Sequence, residues 1–382
     1  MTYNRITDST TAERAVCAVV FCLFVFVFVY FYQTPTLAYA QHVLSKGATV
    51  YHRLPSALLV TFVLYLLQRL TLAATRLHGA SHALTYLPSM LVLAFMTSVH
   101  AEDGGGLAMS AWVYAIPLIL LLYFFIVKAA KLYLPASSTA YSFFSSRNLT
   151  VSLSIMSVMM ISVLCLTNGN DLFNRQIKAE RMLLDRDYAG LANEGCRGGR
   201  SFLPDYLAPS AFQPHVKLET DTTLTLLRAI ALDKCGGIAD SLFCQPVVGN
   251  TASLMQLENV KPLIVSRKFL MRRKSQDYRL CAMLVGRELD RFANRMASLC
   301  NLSSPTANDS LPRHFREALV LYQHLRSVPV TQYQDSVLEA DYNDMRDMLQ
   351  ECATEKERQY AMWKSYRNTY WYYYHYASTN RW

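Results

Sequence analysis

Residues 15–32 read AVCAVVFCLFVFVFVYFY, eighteen positions without a formal charge. An α-helix that crosses a bilayer needs about twenty mostly apolar residues, so this run alone places the chain at a membrane. Comparable stretches follow at 55–74, 82–99, 108–127 and 149–166. They predict a bundle of five spans over residues 15–168, preceded by a short tail, 1–14. Gln68, Arg69 and His82 sit near the ends of their stretches, where long polar side chains reach the interface. The first run is longer than a signal-peptide core and rich in Phe and Tyr, so it reads as an uncleaved anchor. Cleavage beside Ala38 or Ala40, in TLAYAQH, leaves residue 41 on the same side.

Charge divides the chain at the same place. Residues 1–168 carry 9 Lys+Arg and 4 Asp+Glu, whereas 169–382 carry 28 and 24. The second part has the composition of a water-soluble domain. The net charge of +9 splits as +5 and +4 between the two parts, too little in either to indicate nucleic acid as a partner.

Basic loops favour the cytoplasmic side. With five spans, Arg5, Arg14, Arg69, Arg76, Lys128, Lys131 and Arg147 share one side, and Lys46, Arg53, Glu102 and Asp103 the other. The first side is then cytoplasmic, and residues 169–382 form a periplasmic domain of a multi-pass inner-membrane protein. One span miscounted reverses that domain. The middle thirds of the five stretches lack Asp, Glu, Lys and Arg, which a transport pathway normally carries. Ser152, Ser154, Ser157 and Ser162 suit close helix packing. The bundle reads as an anchor in lipid.

From Asp171 onward, apolar positions recur at helical spacing, interrupted at 195–214, 244–253 and 301–312. MLLDRDYAGLAN, from Met182, aligns without gaps with MLVGRELDRFAN, from Met283. Each predicts a helix, a polar turn and a second helix, the unit from which helical solenoids are stacked. HFREALVLYQHL (314–325) is a third candidate, with Ala318, Tyr322 and Leu325 at tetratricopeptide-like spacing. The fold class expected is all-α: a five-span bundle followed by a soluble, repeat-like helical domain.

LPRHFREALVLY (311–322), followed by TYWYYYHYA (369–377), resembles an uncharacterised family of Bacteroidetes multi-pass membrane proteins with a C-terminal tetratricopeptide-like helical region. The resemblance covers about residues 170–382. It implies a cytoplasmic-membrane location and a helical extracytoplasmic domain, and it carries no activity.

Catalytic and cofactor signatures are absent from the sequence. It has no CxxC, HExxH or GxSxG, and its glycine runs at 104–106 and 198–199 lack a phosphate-loop frame. Asp185 and Asp187 form an Asp-x-Asp with no strand pattern around them, and read as helix-end charges. Six of nine cysteines lie in the second part, and Cys235 with Cys244 is the nearest pair for a disulfide. Free cysteine on an apolar helix face, as at Cys281 and Cys300, behaves as a small hydrophobe.

Two stretches suggest an interaction surface. SRKFLMRRKSQDYR (266–279) concentrates Arg272, Arg273 and Lys274, which suit an acidic partner or headgroups, or a solvated helix face. In the tail, a continuous helix puts Trp363, Tyr366, Tyr370, Tyr373 and Ala377 on one face, capping the last repeat. Trp371, Tyr372 and Tyr374 then point elsewhere, and with Tyr370 they make the tail's candidate interaction surface. Such residues favour protein, glycan or headgroup contacts. The expected function is display of a helical domain for binding an envelope protein partner, without cofactor, metal or catalysis. The alternative is an envelope enzyme or binding protein acting on surface glycans.

Overall fold

A computed structural model describes residues 2–77, 79–102, 106–133, 147–193, 221–300, 302 and 311–376. Parts of the expected breaks at 195–214 and 301–312, together with Asp103, Gly104, Gly105, Cys196, Gly198, Gly199 and Ala377, lie outside these residues. The chain divides into two compact units, Met1–Ile177 and Lys178–Trp382.

The first unit contains α1 (Thr2–Val27) with a π-helical turn at Phe28–Tyr32, α2 (Thr34–Leu44) and α3 (Arg53–Thr75). A 3₁₀ segment, Gly79–Tyr86, leads into α4 (Leu87–Thr97). A two-stranded antiparallel hairpin, β1 (Val99–Ala101) and β2 (Leu107–Met109), precedes α5 (Ile116–Tyr133) and α6 (Arg147–Leu166).

Four helices are long and apolar enough to cross a membrane: Glu13–Tyr32, Arg53–Thr75, Ala111–Leu132 and Leu149–Leu166. The fifth expected span, 82–99, is not a continuous helix. Pro88 explains the break: inside an α-helix its ring collides with the carbonyl of Leu84, and it has no N–H to donate. Proline is tolerated in a first turn, and α4 begins one residue before it. The residues ahead wind more tightly, with Thr85 donating to the His82 carbonyl at 2.8 Å.

Polar groups are buried inside this unit and apolar ones lie on its outside. Gln68, Thr85 and Ser89 are buried, while Leu58, Leu59, Phe62, Leu70, Phe124 and Phe125 are exposed. Gln68 Nε2 donates to Thr85 Oγ1 at 3.0 Å, and Ser89 Oγ to the Leu64 carbonyl at 2.9 Å. These pairings run in opposite senses along the chain, so the 3₁₀–α4 segment lies antiparallel to α3.

Further contacts collect the ends of the elements. Asn168 donates to the carbonyls of Thr97 (2.9 Å) and Val99 (2.8 Å), and Trp112 Nε1 to that of Leu166 (3.0 Å). Tyr39 Oη donates to the Gly106 carbonyl at 2.9 Å. Leu77, by contrast, packs with Val127 and Ala130 near the far end of α5.

α7 (Asp171–Leu184) runs across the division. The second unit continues with α8 (Tyr188–Asn193), α9 (Thr222–Cys235), α10 (Ile238–Ser241), α11 (Thr251–Gln256), α12 (Arg267–Leu270) and α13 (Gln276–Val285). Then come α14 (Leu289–Leu299), α15 (Arg313–Leu325), α16 (Ser336–Glu351), α17 (Glu355–Tyr366) and α18 (Tyr370–Tyr376). Side chains cap many of the starts: Asp221 accepts from Leu224 N–H, Ser275 from Tyr278 N–H and Asp335 from Leu338 N–H. Asn250 and Thr354 each complete a capping box.

The two echoed segments have the same backbone. Arg186 and Arg287 both adopt the left-handed conformation, with φ of 61° and 57°. Asp187 N–H reaches back to the Met182 carbonyl, and Glu288 N–H to that of Met283, both at 2.9 Å. This is the Schellman closure, in which one left-handed residue ends a helix. A third copy stands between them at Gly236 (φ 75°), where Gly237 N–H donates to the Leu232 carbonyl at 3.0 Å. The three junctions, at 186, 236 and 287, are spaced 50 and 51 residues apart.

One continuous core joins these helices, from Ala179 and Leu183 through Leu226, Phe292 and Phe315 to Trp371. Glu180 is fully buried on α7 and accepts the N–H groups of Leu263 (2.9 Å), Ile264 (2.5 Å) and Val265 (2.9 Å). A carboxylate bound by three successive amides ties the bend at 263–265 to the helix.

Candidate functional site

The aromatic tail belongs to the core. The chain breaks between α17 and α18, where the Thr369 hydroxyl accepts from Tyr372 N–H at 3.3 Å. A continuous helix over the tail, expected from spacing, is therefore replaced by two helices at an angle to the pattern. Tyr370, Trp371, Tyr372, Tyr373 and Tyr376 are all buried, Trp371 at 1% exposure. Their polar tips explain how so many rings enter one core. Tyr370 Oη donates to the Leu284 carbonyl (3.1 Å), Tyr373 Oη to that of Val285 (2.7 Å) and Trp371 Nε1 to that of Glu317 (2.8 Å). The tail thus adds donors to the carbonyls at the end of α13, of which that of Leu284 also accepts Arg287 N–H at 3.0 Å. Of the four tail residues expected at an interaction surface, Tyr370, Trp371 and Tyr372 are buried instead. Tyr374 alone is half-buried, with the Arg287 guanidinium 5.9 Å from its ring centre.

The basic stretch stays on the surface, with one exception. Arg272 and Arg273 are exposed, and Arg272 lies over the Phe269 ring at 4.5 Å. Lys274 is turned inward: its ammonium donates to the Leu254 carbonyl and, at 3.1 Å, to Tyr278 Oη. Burial pushes Lys274 down to about 8, against the pull of Asp233. It is a helix-start brace rather than part of the exposed ridge.

Cys235 and Cys244 are separate, exposed thiols. The expected bridge is not formed, because the Cys244 sulfur is turned elsewhere. It donates to the Asp240 carbonyl at 3.5 Å and lies 3.9 Å from His314 Nε2.

That contact opens a cluster the sequence pattern did not single out. His314 and Glu317 stand one turn apart on α15, both buried. His314 Nδ1 is 3.0 Å from Glu317 Oε2, and since a carboxylate only accepts, the imidazole donates there. Glu317 also accepts Arg313 Nε at 2.8 Å and Tyr370 N–H at 2.7 Å. Phe243 holds the imidazole edge-on, 5.3 Å between ring centres. Burial works against a charge on His314, but hydrogen bonds to Cys244 and Glu317 and the Glu317 charge prevail and raise it to about 9. The cluster is scattered over 127 positions of sequence, Cys244, His314, Glu317 and Tyr370 coming from three elements, and only the His-x-x-Glu spacing is visible locally. Among the described residues, no group of three or more His, Cys, Asp and Glu is arranged to hold a metal ion.

Residues 271–377 match a family of unknown function, DUF6057. The match spans His314, Glu317 and the aromatic tail, and stops short of Cys244. No curated protein and no solved structure matches the chain.

Proposed function

We propose that this is a multi-pass inner-membrane protein whose helical unit is displayed on the periplasmic side to bind an envelope protein. The observation that carries the reading is the division into a unit with lipid-length apolar helices and a second unit with its own polar surface and continuous core. The three Schellman junctions support a repeat-like, tetratricopeptide-like construction, the kind of scaffold that presents extended binding faces. Relation to the Bacteroidetes membrane family belongs to the same proposal.

The broken segment supports the periplasmic side. Eight 3₁₀ residues rise about 2.0 Å each and eleven α residues about 1.5 Å each, so Gly79–Thr97 covers roughly 32 Å, the thickness of the hydrocarbon core. Its start lies near Leu77, and its end is bound to Asn168, beyond the end of α6. A composite passage of this kind, added to the four helices, carries the chain out of the bundle on the side opposite Thr2. The bias of Lys and Arg toward the N-terminal side agrees.

Arg272 and Arg273 supply the exposed ridge for an acidic partner. A photo-reactive amino acid placed at Met271, exposed beside them, gives a discrete cross-linked species in cells. The double charge reversal Arg272→Glu, Arg273→Glu abolishes it while leaving the protein in the membrane. A cross-link unchanged by that reversal contradicts the assignment. The glycan reading relied on exposed tail rings, and Trp371 is buried.

A further inference from the structure

We infer that Cys244 is a reactive thiol that exchanges with disulfides, with the His314 imidazolium stabilising its thiolate and Glu317 as the residue that positions His314. This goes beyond the binding function and does not depend on it.

Three features of the cluster meet what the chemistry demands. The nucleophile is accessible, since Cys244 is exposed at the end of a short 3₁₀ turn, Leu242–Cys244. A cation lies against the sulfur, with His314 Nε2 at 3.9 Å, within the looser reach expected before substrate binds. The imidazolium is oriented, because Glu317 takes Nδ1–H at 3.0 Å and is itself fixed by Arg313 Nε and the amide of Tyr370. A buried carboxylate holding a buried imidazolium, which in turn faces an exposed thiol, is the arrangement that favours a thiolate. A purely structural ion pair needs no thiol at its open end. The other charged group nearby is Asp240 on α10, whose carboxylate accepts the Arg313 amide at 2.9 Å and so faces that amide rather than the ring. Tyr370 and Phe243 close the remaining sides with aromatic surface.

Thiol–disulfide exchange asks for nothing beyond these parts. The Cys244 thiol gives its proton to solvent, and the thiolate stands against the imidazolium of His314, which Glu317 holds through Nδ1–H. The sulfur attacks one sulfur of the incoming disulfide, the old S–S bond breaks, and the departing thiolate takes a proton from solvent. Cys244 finishes oxidised in a mixed disulfide and the released half finishes reduced. The substrate class is a disulfide of a small molecule or of a protein.

The test uses the full chain in detergent, treated with the aromatic disulfide 5,5′-dithiobis(2-nitrobenzoate), with each cysteine quantified by mass spectrometry. Cys235 and Cys300 are exposed thiols of the same unit and serve as references inside the same molecule. Cys244 is expected to react at least about tenfold faster than either near neutral pH, and its rate to fall by less than about tenfold per pH unit on acidification. His314→Gln brings Cys244 to the reference rate and restores the steep pH dependence. Glu317→Gln shifts the pH profile with a smaller loss of rate. If the unaltered protein modifies Cys244 no faster than Cys235 and Cys300, the proposal is overturned, whether or not either variant folds. A wild-type advantage that His314→Gln leaves intact in a folded protein overturns the role of the imidazole.

Discussion

The two units use the same residue types in opposite ways. In the first, Leu58, Phe62 and Phe125 face outward while Gln68, Thr85 and Ser89 pair inside. In the second, Phe292, Phe315 and Trp371 are enclosed, and the outside carries the charges. In lipid, apolar side chains gain nothing by leaving the surface, so packing and buried hydrogen bonds hold helices together. In water, burial of apolar area is the main driving force. Position inside or outside therefore reports the solvent of each unit.

The contrast breaks most visibly at Trp371. Trp371→Ala leaves a cavity in the second core and removes the indole bond to the Glu317 carbonyl, and costs about 3–5 kcal/mol. Hydrogen exchange on the full chain in micelles should show the loss across α13–α18 while α3 and α6 keep their protection. Loss of protection throughout would show that the two units do not unfold independently.

Next in size is the effect of pH. His314 is held up at about 9 from an ordinary 6.5, so its contribution is fully present below about pH 6.5 and lost as pH rises through about 9. The full difference is on the order of 3 kcal/mol. Denaturant midpoints of the second unit should fall as pH rises above about 6.5, with Glu317→Gln flattening the decline, until above about pH 8 the loss of the proton on buried Lys274 works in the opposite sense. The first unit has no part in it.

Gln68→Leu tests the buried polar pair of the lipid unit. Its effect is about 1 kcal/mol, because pairs of this kind inside a bundle are worth little. Smallest is a comparison among the three junctions. Arg186→Gly relieves left-handed backbone and stabilises by up to about 1 kcal/mol, whereas Gly236→Ala destabilises by a similar amount. A matched pair of opposite signs in thermal midpoints confirms that the junctions share one conformation.

Much of this was legible in the residues. Unbroken apolar runs fixed four helices, and the echo of Met182–Asn193 in Met283–Asn294 marked two equivalent turns. The third turn escaped because Gly236–Gly237 reaches the same backbone with different side chains. Pro88 concealed a second departure, as hydropathy records composition and not the winding of the chain. The tail misled more instructively: adjacent Tyr and Trp suggest a surface, yet the Tyr370 and Tyr373 hydroxyls and the Trp371 indole each find a carbonyl, and then burial is favourable. The Cys244–His314–Glu317 cluster joins residues 70 positions apart, a distance no local pattern spans.

The proposed periplasmic placement of the second unit depends most on whether Gly79–Thr97 crosses the membrane in addition to the four long helices. Intact cells treated with a membrane-impermeant maleimide, followed by site-resolved mass spectrometry of the native chain, read that side directly. Labelling of Cys235 without permeabilisation is the predicted result. Labelling of Cys235 only after the membrane is opened would mean that the segment turns back and the helical unit faces the cytoplasm.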